Sequence, residues 1–113
     1  GNRMSKPTAE AFAEAVYQEK ERYLTEIQSP CSQSAAAALI RQMDLPPPQH
    51  AQLAQLLDTA LTDLLTTLLY GLDGAAALGS LPQQNWRICD ENGQTLAECG
   101  ELEAAAYARF HGR

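Results

Sequence analysis

The chain has 113 residues, of which 45% are hydrophobic and 19% charged, and its formal net charge at pH 7 is −6. This length suits one domain with its own hydrophobic core, and the acidic balance disfavours direct binding to DNA or RNA, because nucleic-acid backbones attract basic surfaces. No apolar run approaches the roughly 18 residues of a membrane-spanning helix, so the sequence predicts no membrane contact either.

The start of the chain places residues 1–3 ahead of Met4. We interpret these three residues as the remnant of a cloning tag and expect residues 4–113 to form a single domain. No signal peptide is visible, and the three cysteines are an odd number without close-pair spacing. The sequence therefore favours a cytoplasmic protein with free thiols.

The first helix is predicted between Pro7 and Gln28, with the proline near the helix start, where a missing amide donor is tolerated. Apolar side chains recur along it at helical spacing: Ala9, Phe12, Ala13, Val16, Tyr23, Leu24 and Ile27. Lys20 falls on the same stripe, so we expect its stem to lie on apolar surface while its ammonium group reaches water. A functional lysine with a depressed pKa is the alternative, and the flanking Glu19 and Glu21 argue against it.

Ser29 and Pro30 suit the N-cap and first turn of a second helix, which is predicted to run to Met43. Its contacts are expected from Ala35, Ala38, Leu39 and Met43. The prolines at 46–48 cannot continue this helix, and we interpret them as a stiff connector that sets the direction of the next one. A ligand for a proline-binding domain is the less favoured interpretation.

The strongest pattern lies between Leu53 and Leu72, where apolar doublets recur every four residues: Leu56 and Leu57, Ala60 and Leu61, Leu64 and Leu65, Leu68 and Leu69. This spacing predicts a third helix. Four residues overshoot one helical turn by about 40°, so the apolar band winds around the axis and exceeds the stripe of a one-sided surface helix. We therefore expect the third helix to be central, covered from several directions by the other elements or by a second copy.

The connection from residue 71 to residue 85 contains Gly71 and Gly74, either of which suits a helix stop. It is long for a compact domain, and long loops are more often functional than short ones. Whether it forms a ligand pocket is left open by the sequence. The candidate partner-binding residues in and beside this loop are Asp73, Gln83, Gln84 and Trp86.

The last third of the chain is predicted to contain a β-hairpin, with strands at 85–90 and 94–99 joined by a turn at 90–93. A type I turn closed by a glycine bulge would place Ile88 opposite Leu96. A two-residue Asn-Gly turn is the competing register.

A closing helix is expected after Gly100, with Glu101 and Glu103 in its first turn and Arg109 near its end, each favourable for the helix dipole. The predicted fold class is therefore α+β and mainly helical. It comprises three N-terminal helices with the third one central, a β-hairpin and a C-terminal helix.

Signatures of catalysis or metal binding are missing from the sequence. His50 and His111 are far apart and the cysteines are scattered, which argues against zinc, and no nucleophile or phosphate-binding motif is present. Cys31, near the predicted start of the second helix, is the best candidate for an activated thiol, although a small apolar residue packed under the cap explains it more simply. We expect no enzymatic activity, no cofactor and no metal.

The functional prediction is a small acidic, non-catalytic protein-binding module, and the wide leucine band favours a homodimer. Trp86, the sole tryptophan, is interpreted first as an apolar anchor for the hairpin and second as a contact residue in an interface. The alternative function is an inhibitor or immunity-type protein whose carboxylates neutralise a basic toxin or nuclease. A small enzyme or ligand carrier, with Asp73, Gln83, Gln84 or Cys31 lining a pocket, is the third hypothesis.

Overall fold

The computed structural model describes residues 8–98 and 100–112. Within these ranges the secondary structure consists of four α-helices: α1 (Ala9–Ile27), α2 (Ala35–Met43), α3 (Pro47–Leu72) and α4 (Glu101–Phe110). The β-structure in the same ranges is a single isolated antiparallel bridge between Cys89 and Thr95. The described part of the protein is thus all-helical, and the predicted α+β class is wrong.

The chain divides into two compact units. The first unit comprises Gly1–Tyr17 and Leu64–Arg113, and the second comprises Gln18–Asp63. The predicted tag remnant, residues 1–3, lies outside the described residues.

The core of the first unit is built from small and branched apolar residues on three helical segments. Ala9 and Ala13 of α1, Leu69 of α3 and three residues of α4 are almost completely buried: Leu102, Ala105 and Ala106. Alanines on facing helices allow a close approach of the backbones. Partly buried hydrophobic residues pack against this core: Phe12, Val16, Tyr70, Leu72, Ile88, Ala97 and Phe110. The predicted apolar stripe at the start of the first helix is confirmed.

The later residues of that stripe are buried in the second unit. Leu24 and Ile27 of α1 are 8% and 2% exposed, and Ala37 of α2 is fully buried. Tyr23 departs from the pattern, because it is 38% exposed. Lys20 is buried in this unit at 6% exposure.

The predicted hairpin reduces to a turn. The Gly93 amide donates to the Asp90 carbonyl at 3.0 Å, and the Asp90 carboxylate accepts from the amides of Asn92 and Gln94, each at 2.9 Å. Gly93 has a φ of 81°, in the left-handed region that favours glycine.

The strands on either side of this turn do not form in the described residues, so the hairpin prediction is wrong. Pairing is limited to two backbone hydrogen bonds, from Asp90 N to Gln94 O and from Leu96 N to Ile88 O. An isolated two-stranded ribbon is marginal in water, and the amide of Trp86 donates instead to the carbonyl of Leu72 at the end of α3. The segment before Cys89 is therefore bonded to a helix end. Cys99, the predicted end of the second strand, lies outside the described residues.

The second helix begins later than predicted. Its N-cap is Ser34, whose hydroxyl accepts from the Ala37 amide at 3.2 Å. The predicted cap, Ser29, accepts instead from the Cys31 amide, and such local hydrogen bonds compete with helix formation. The prolines at 46–48 were expected to form a connector ahead of the third helix. Two of them belong to the helix instead, because α3 begins at Pro47 and its first turn includes Pro47 and Pro48. Prolines are tolerated in a first turn, where no amide donor is needed.

The third helix is not covered on all sides. Leu57, Leu61, Leu65 and Leu69 are at least partly buried, whereas the adjacent ridge remains open, with Leu56, Leu64 and Leu68 at 62%, 65% and 44% exposure. Residues four apart form one ridge of a helix, and a neighbouring helix covers the ridges on its own side only. The expectation that the other elements of the chain cover the third helix from several directions is wrong, because a run of leucines does not by itself require burial; the alternative, cover by a second copy, stays a prediction.

Candidate protein-binding groove

The second unit contains an open apolar groove of about 290 Å³. Nine residues on three helical segments line it, and none of them is charged: Tyr23, Ile27, Ala36, Leu39, Ile40, Met43, Leu57, Ala60 and Leu61. We refer to this surface as the α2 groove, because α2 supplies four of the nine residues. Its only lining side chain with a polar group is the tyrosine.

The side chains of α2 make the groove accessible to a partner. Leu39 and Met43 lie four residues apart and therefore share one face of the helix, and they are 57% and 51% exposed. Ala37 is fully buried and holds α2 against its unit. A nine-residue helix with a buried alanine thus presents two long apolar side chains to solvent.

Hydrogen bonds from the loop before α2 hold the helix in place. The Ser32 hydroxyl donates to the Glu26 carboxylate at 3.0 Å, and the Ser32 carbonyl accepts from the Arg41 guanidinium at 2.8 Å. At the other end, Asp44 adopts a left-handed conformation with φ 49°, and its amide donates to the Arg41 carbonyl. These contacts position the groove face before any partner arrives.

The electrostatic environment of the groove is acidic. The second unit contains six carboxylate side chains and three lysine or arginine side chains, hence a formal charge of −3. Two of the carboxylates, Glu26 and Asp44, directly adjoin the lining residues Ile27 and Met43 in the chain. Both positions lie at the C-terminal ends of helices, where the helix dipole adds partial negative charge.

The three cations of the second unit are all engaged. Arg41 donates to the Ser32 carbonyl, and Arg22 pairs with Glu19, which raises the pKa of Arg22 and lowers that of Glu19. The Lys20 ammonium donates to Asp58 Oδ1 at 2.7 Å and to Thr62 Oγ1 at 3.0 Å.

The environment of Lys20 argues against the hypothesis that it is a functional lysine with a depressed pKa. Burial lowers the pKa of Lys20, but hydrogen bonds and charges from Asp58 and Glu21 outweigh burial and raise the pKa above its usual value. A lysine that acts as a base or nucleophile needs the opposite shift. The expectation that the ammonium group reaches water is also wrong, because the side chain is 5% exposed.

The predicted partner-binding residues lie in the first unit, and one of them already has a structural role. Asp73 Oδ1 accepts from the Gly100 amide at 3.0 Å, and Asp73 Oδ2 accepts from the Glu103 amide at 2.9 Å. These amides belong to the start of α4, whose N-cap residue is a glycine without a side chain. Asp73 therefore caps α4 from a distant position in the chain.

Trp86 and Asp73 line one cleft of about 440 Å³ in the first unit, together with Asn85, Arg87, Thr95, Ala97 and Glu98. Trp86 is 39% exposed. Gln83 and Gln84 are not among the residues that line this cleft; the Gln83 side chain donates to the Gly74 carbonyl at 2.7 Å, and Gln84 is exposed. The structure thus brings two of the four predicted residues together.

The residues of the α2 groove were not predicted as a binding site from the sequence. The sequence instead predicts that Leu39 and Met43, with Ala35 and Ala38, make the internal contacts of the second helix. Ala36, Leu39, Ile40 and Met43 follow the i, i+3, i+4, i+7 spacing of an ordinary buried stripe, so the sequence carries no signal that part of this face stays open. Deciding which of these stay open requires the positions of α1 and α3.

The other chemical candidates do not assemble into a site among residues 8–98 and 100–112. Cys31 is exposed and precedes α2 by several residues, so it is not placed at a helix N-terminus. No group of three or more histidine, cysteine or carboxylate side chains converges there as metal ligands. In the same ranges, no helix combines the length and apolarity needed to cross a bilayer.

No protein-family model, curated protein or solved structure matches this chain.

Proposed function

We propose that this protein is a small acidic, non-catalytic protein-binding module that acts in the cytoplasm and binds its partner in the α2 groove. The observation that carries the proposal is the pair Leu39 and Met43, two long apolar side chains that remain more than half exposed beside a recess with no charged lining residue. Exposed apolar surface of this kind, bordered by polar residues, is typical of protein–protein contact sites.

The shape of the groove favours a protein segment over a small molecule. Pockets for small ligands bury most of the ligand surface and place several polar groups to orient it. The α2 groove is open and offers one polar side-chain group, the Tyr23 hydroxyl. An amphipathic helix needs only a hydrophobic groove for its apolar face.

The energetic contribution of the groove is modest for each residue. Full burial of a leucine or methionine side chain stabilises by about 1.5–3 kcal/mol, so covering the exposed half of Leu39 and of Met43 contributes roughly 1 kcal/mol each. The partly exposed Tyr23 adds an aromatic surface, a residue type that is enriched among the strongest contacts of interfaces.

The test is affinity capture from the native host, with the captured proteins quantified by mass spectrometry. Wild-type protein is compared with Leu39→Glu, which places a charge in the groove, and with Leu81→Glu, a matched control at an exposed leucine outside it. We expect one partner to be retained by the wild type and the control and lost by Leu39→Glu. Equal recovery of every captured protein by all three would contradict the proposal.

Self-association is a second candidate, favoured by a different surface. Leu64 and Leu68 of the first unit lie one turn apart on α3 and are 65% and 44% exposed. A homodimer would cover them, and light scattering coupled to gel filtration would then report twice the chain mass. Leu64→Lys should return that mass to the monomer value, and a monomeric wild type at micromolar concentration would eliminate the homodimer.

The inhibitor or immunity-type alternative is supported by the negative charge and by nothing more specific. It requires a strongly basic toxin or nuclease as the captured partner. Loss of that capture at high salt would support it, and salt-independent capture would count against it.

A further inference from the structure

We infer that the occupant of the α2 groove is a cationic amphipathic helix of a partner protein, with leucine-like residues on one face and lysine or arginine on the flanks. This inference rests on the proposed function and adds the chemistry of the partner. It is drawn from the charges around the groove, whereas the proposed function is drawn from its apolar lining.

The apolar lining of the α2 groove favours a helical occupant. The two exposed side chains of α2 lie one turn apart along the helix, and α1 and α3 supply the opposite walls through Tyr23, Ile27 and Leu57. A recess between helices is filled by side chains that recur at i, i+3 or i+4, and i+7 along a bound helix. An extended strand binds by adding to an exposed sheet edge, and the nine lining residues belong to three helices.

The charges of the second unit favour cationic flanks on the occupant. Asp44 follows Met43 at the end of α2, and Glu26 precedes Ile27 at the end of α1. Each carboxylate adds to the negative end of its own helix. Neither Asp44 nor Glu26 forms an ion pair within 4.0 Å among the described residues.

The three cations of the second unit leave it with a net negative charge. Lys20 pairs with Asp58, Arg22 pairs with Glu19 and also interacts with the charge of Glu26, and the Arg41 guanidinium is bonded to a backbone carbonyl in the loop before α2. The second unit carries a formal charge of −3, and the last residues of α1 and α2, Ile27 and Met43, both line the groove. This net charge and the two helix C-termini attract a cationic helix and repel an anionic one, which increases the rate of encounter and the specificity of the cationic helix.

The experiment uses three synthetic peptides of about 16 residues with identical leucine positions, whose remaining positions are lysine, glutamine or glutamate. Each labelled peptide is titrated with the full chain, and binding is followed by fluorescence anisotropy at about 50 mM and about 500 mM salt. We expect the lysine peptide to bind about tenfold more tightly than the glutamine peptide at low salt and the glutamate peptide to bind most weakly. The preference should shrink at high salt, because salt screens exposed charges.

The groove variants separate specific binding from general attraction between opposite charges. Leu39→Glu and Met43→Glu add negative charge, so non-specific attraction for the lysine peptide would increase. We expect them instead to weaken its binding by about tenfold, while Leu81→Glu, with the same added charge outside the groove, changes it by less than about twofold. Circular dichroism melts confirm that each variant is folded.

A second pair of variants tests the flanking carboxylates. The double variant Glu26→Gln and Asp44→Asn should reduce the preference for the lysine peptide over the glutamine peptide by at least about threefold. Glu91→Gln and Glu98→Gln, which remove the same number of charges from the first unit, should leave that preference unchanged.

The outcomes distinguish the two proposals. Equal, groove-dependent binding of the lysine and glutamine peptides would overturn the cationic partner and leave the binding module standing. The inference would also be overturned if Leu39→Glu and Met43→Glu left binding of the lysine peptide unchanged, or if the lysine peptide did not bind. The capture experiment decides the proposed function independently.

Discussion

The ammonium group of Lys20 lies 2.7 Å from Asp58 Oδ1, although the two residues are 38 positions apart in the chain. This contact joins α1 to α3 within the second unit. The lysine side chain is 5% exposed and the aspartate side chain 51% exposed, so the pair connects a buried cation to the surface. Thr62 accepts a further hydrogen bond from the same ammonium group at 3.0 Å.

Asp58→Asn should destabilise the protein more than Lys20→Met. The first change leaves a buried ammonium group with a weaker partner, whereas the second removes the buried charge and keeps an apolar stem. Because Asp58 is half exposed and Glu21 remains 3.3 Å from the ammonium group, we expect Asp58→Asn to lower the free energy of unfolding by about 1–2 kcal/mol. Urea denaturation followed by far-UV circular dichroism measures both. A larger loss in Lys20→Met would contradict this account.

The free energy of unfolding should fall at alkaline pH in a manner that depends on Lys20. Its pKa is raised in the folded protein by the hydrogen bonds and charges of Asp58 and Glu21, which outweigh burial. The folded state therefore retains this proton at pH values where the unfolded chain, with a lysine pKa of about 10.4, has released it. The stabilisation is complete below about pH 10 and is lost as the pH rises through the folded pKa.

Tyr70 contributes to the same alkaline loss and must be separated from Lys20. Burial, with the nearby charges of Glu103 and Tyr107, raises the pKa of Tyr70, so its neutral form is favoured in the folded state and its contribution also disappears at high pH. Denaturation curves at neutral pH and near pH 11 give the free energy of unfolding of each protein at the two pH values. The loss of this free energy at high pH should be smaller for Lys20→Met and for Tyr70→Phe than for the wild type. An unchanged difference in Lys20→Met would show that the lysine is not responsible.

Asp73→Ala should destabilise α4 by about 1 kcal/mol, which is typical for the loss of a helix cap. The carboxylate accepts from the amides of Gly100 and Glu103, and removing it leaves both donors to water. Asp73→Asn keeps one acceptor oxygen and should cost less. The matched control is Glu91→Ala, an exposed turn residue, for which we expect a change within about 0.5 kcal/mol. Equal effects of Asp73→Ala and Glu91→Ala on the urea midpoint would refute the capping role.

Gly74→Ala should be more damaging than Gly79→Ala, although both glycines have a positive φ, 82° and 56°. A left-handed conformation costs a residue with a Cβ about 1–2 kcal/mol, which both variants share. At Gly74 the new Cβ would also clash with Asn85 Oδ1, whereas at Gly79 nothing lies within 4 Å. Thermal melts of the two variants isolate the effect of the contact. Equal midpoints would mean that Asn85 moves aside freely.

The sequence alone determined where most of the helices lie. Apolar spacing located α1 and α3, because a helical stripe is a local property of the chain. The end of α3 near Gly71 and the acidic start of α4 were also readable, because caps and dipoles act within one turn. The turn at Asp90–Gly93 follows in the same way from its aspartate and glycine.

The tertiary structure alone decided which surfaces remain open. Doublets along α3 could not reveal that Leu57 and Leu61 would be partly buried while Leu56 stayed exposed, because that depends on where neighbouring helices lie. The hairpin failed for a related reason: strands need partners, and the Trp86 amide bonds to the end of α3 instead. The α2 groove, and the partner of Lys20 on another helix, are likewise properties of packing between distant segments, which no local pattern encodes.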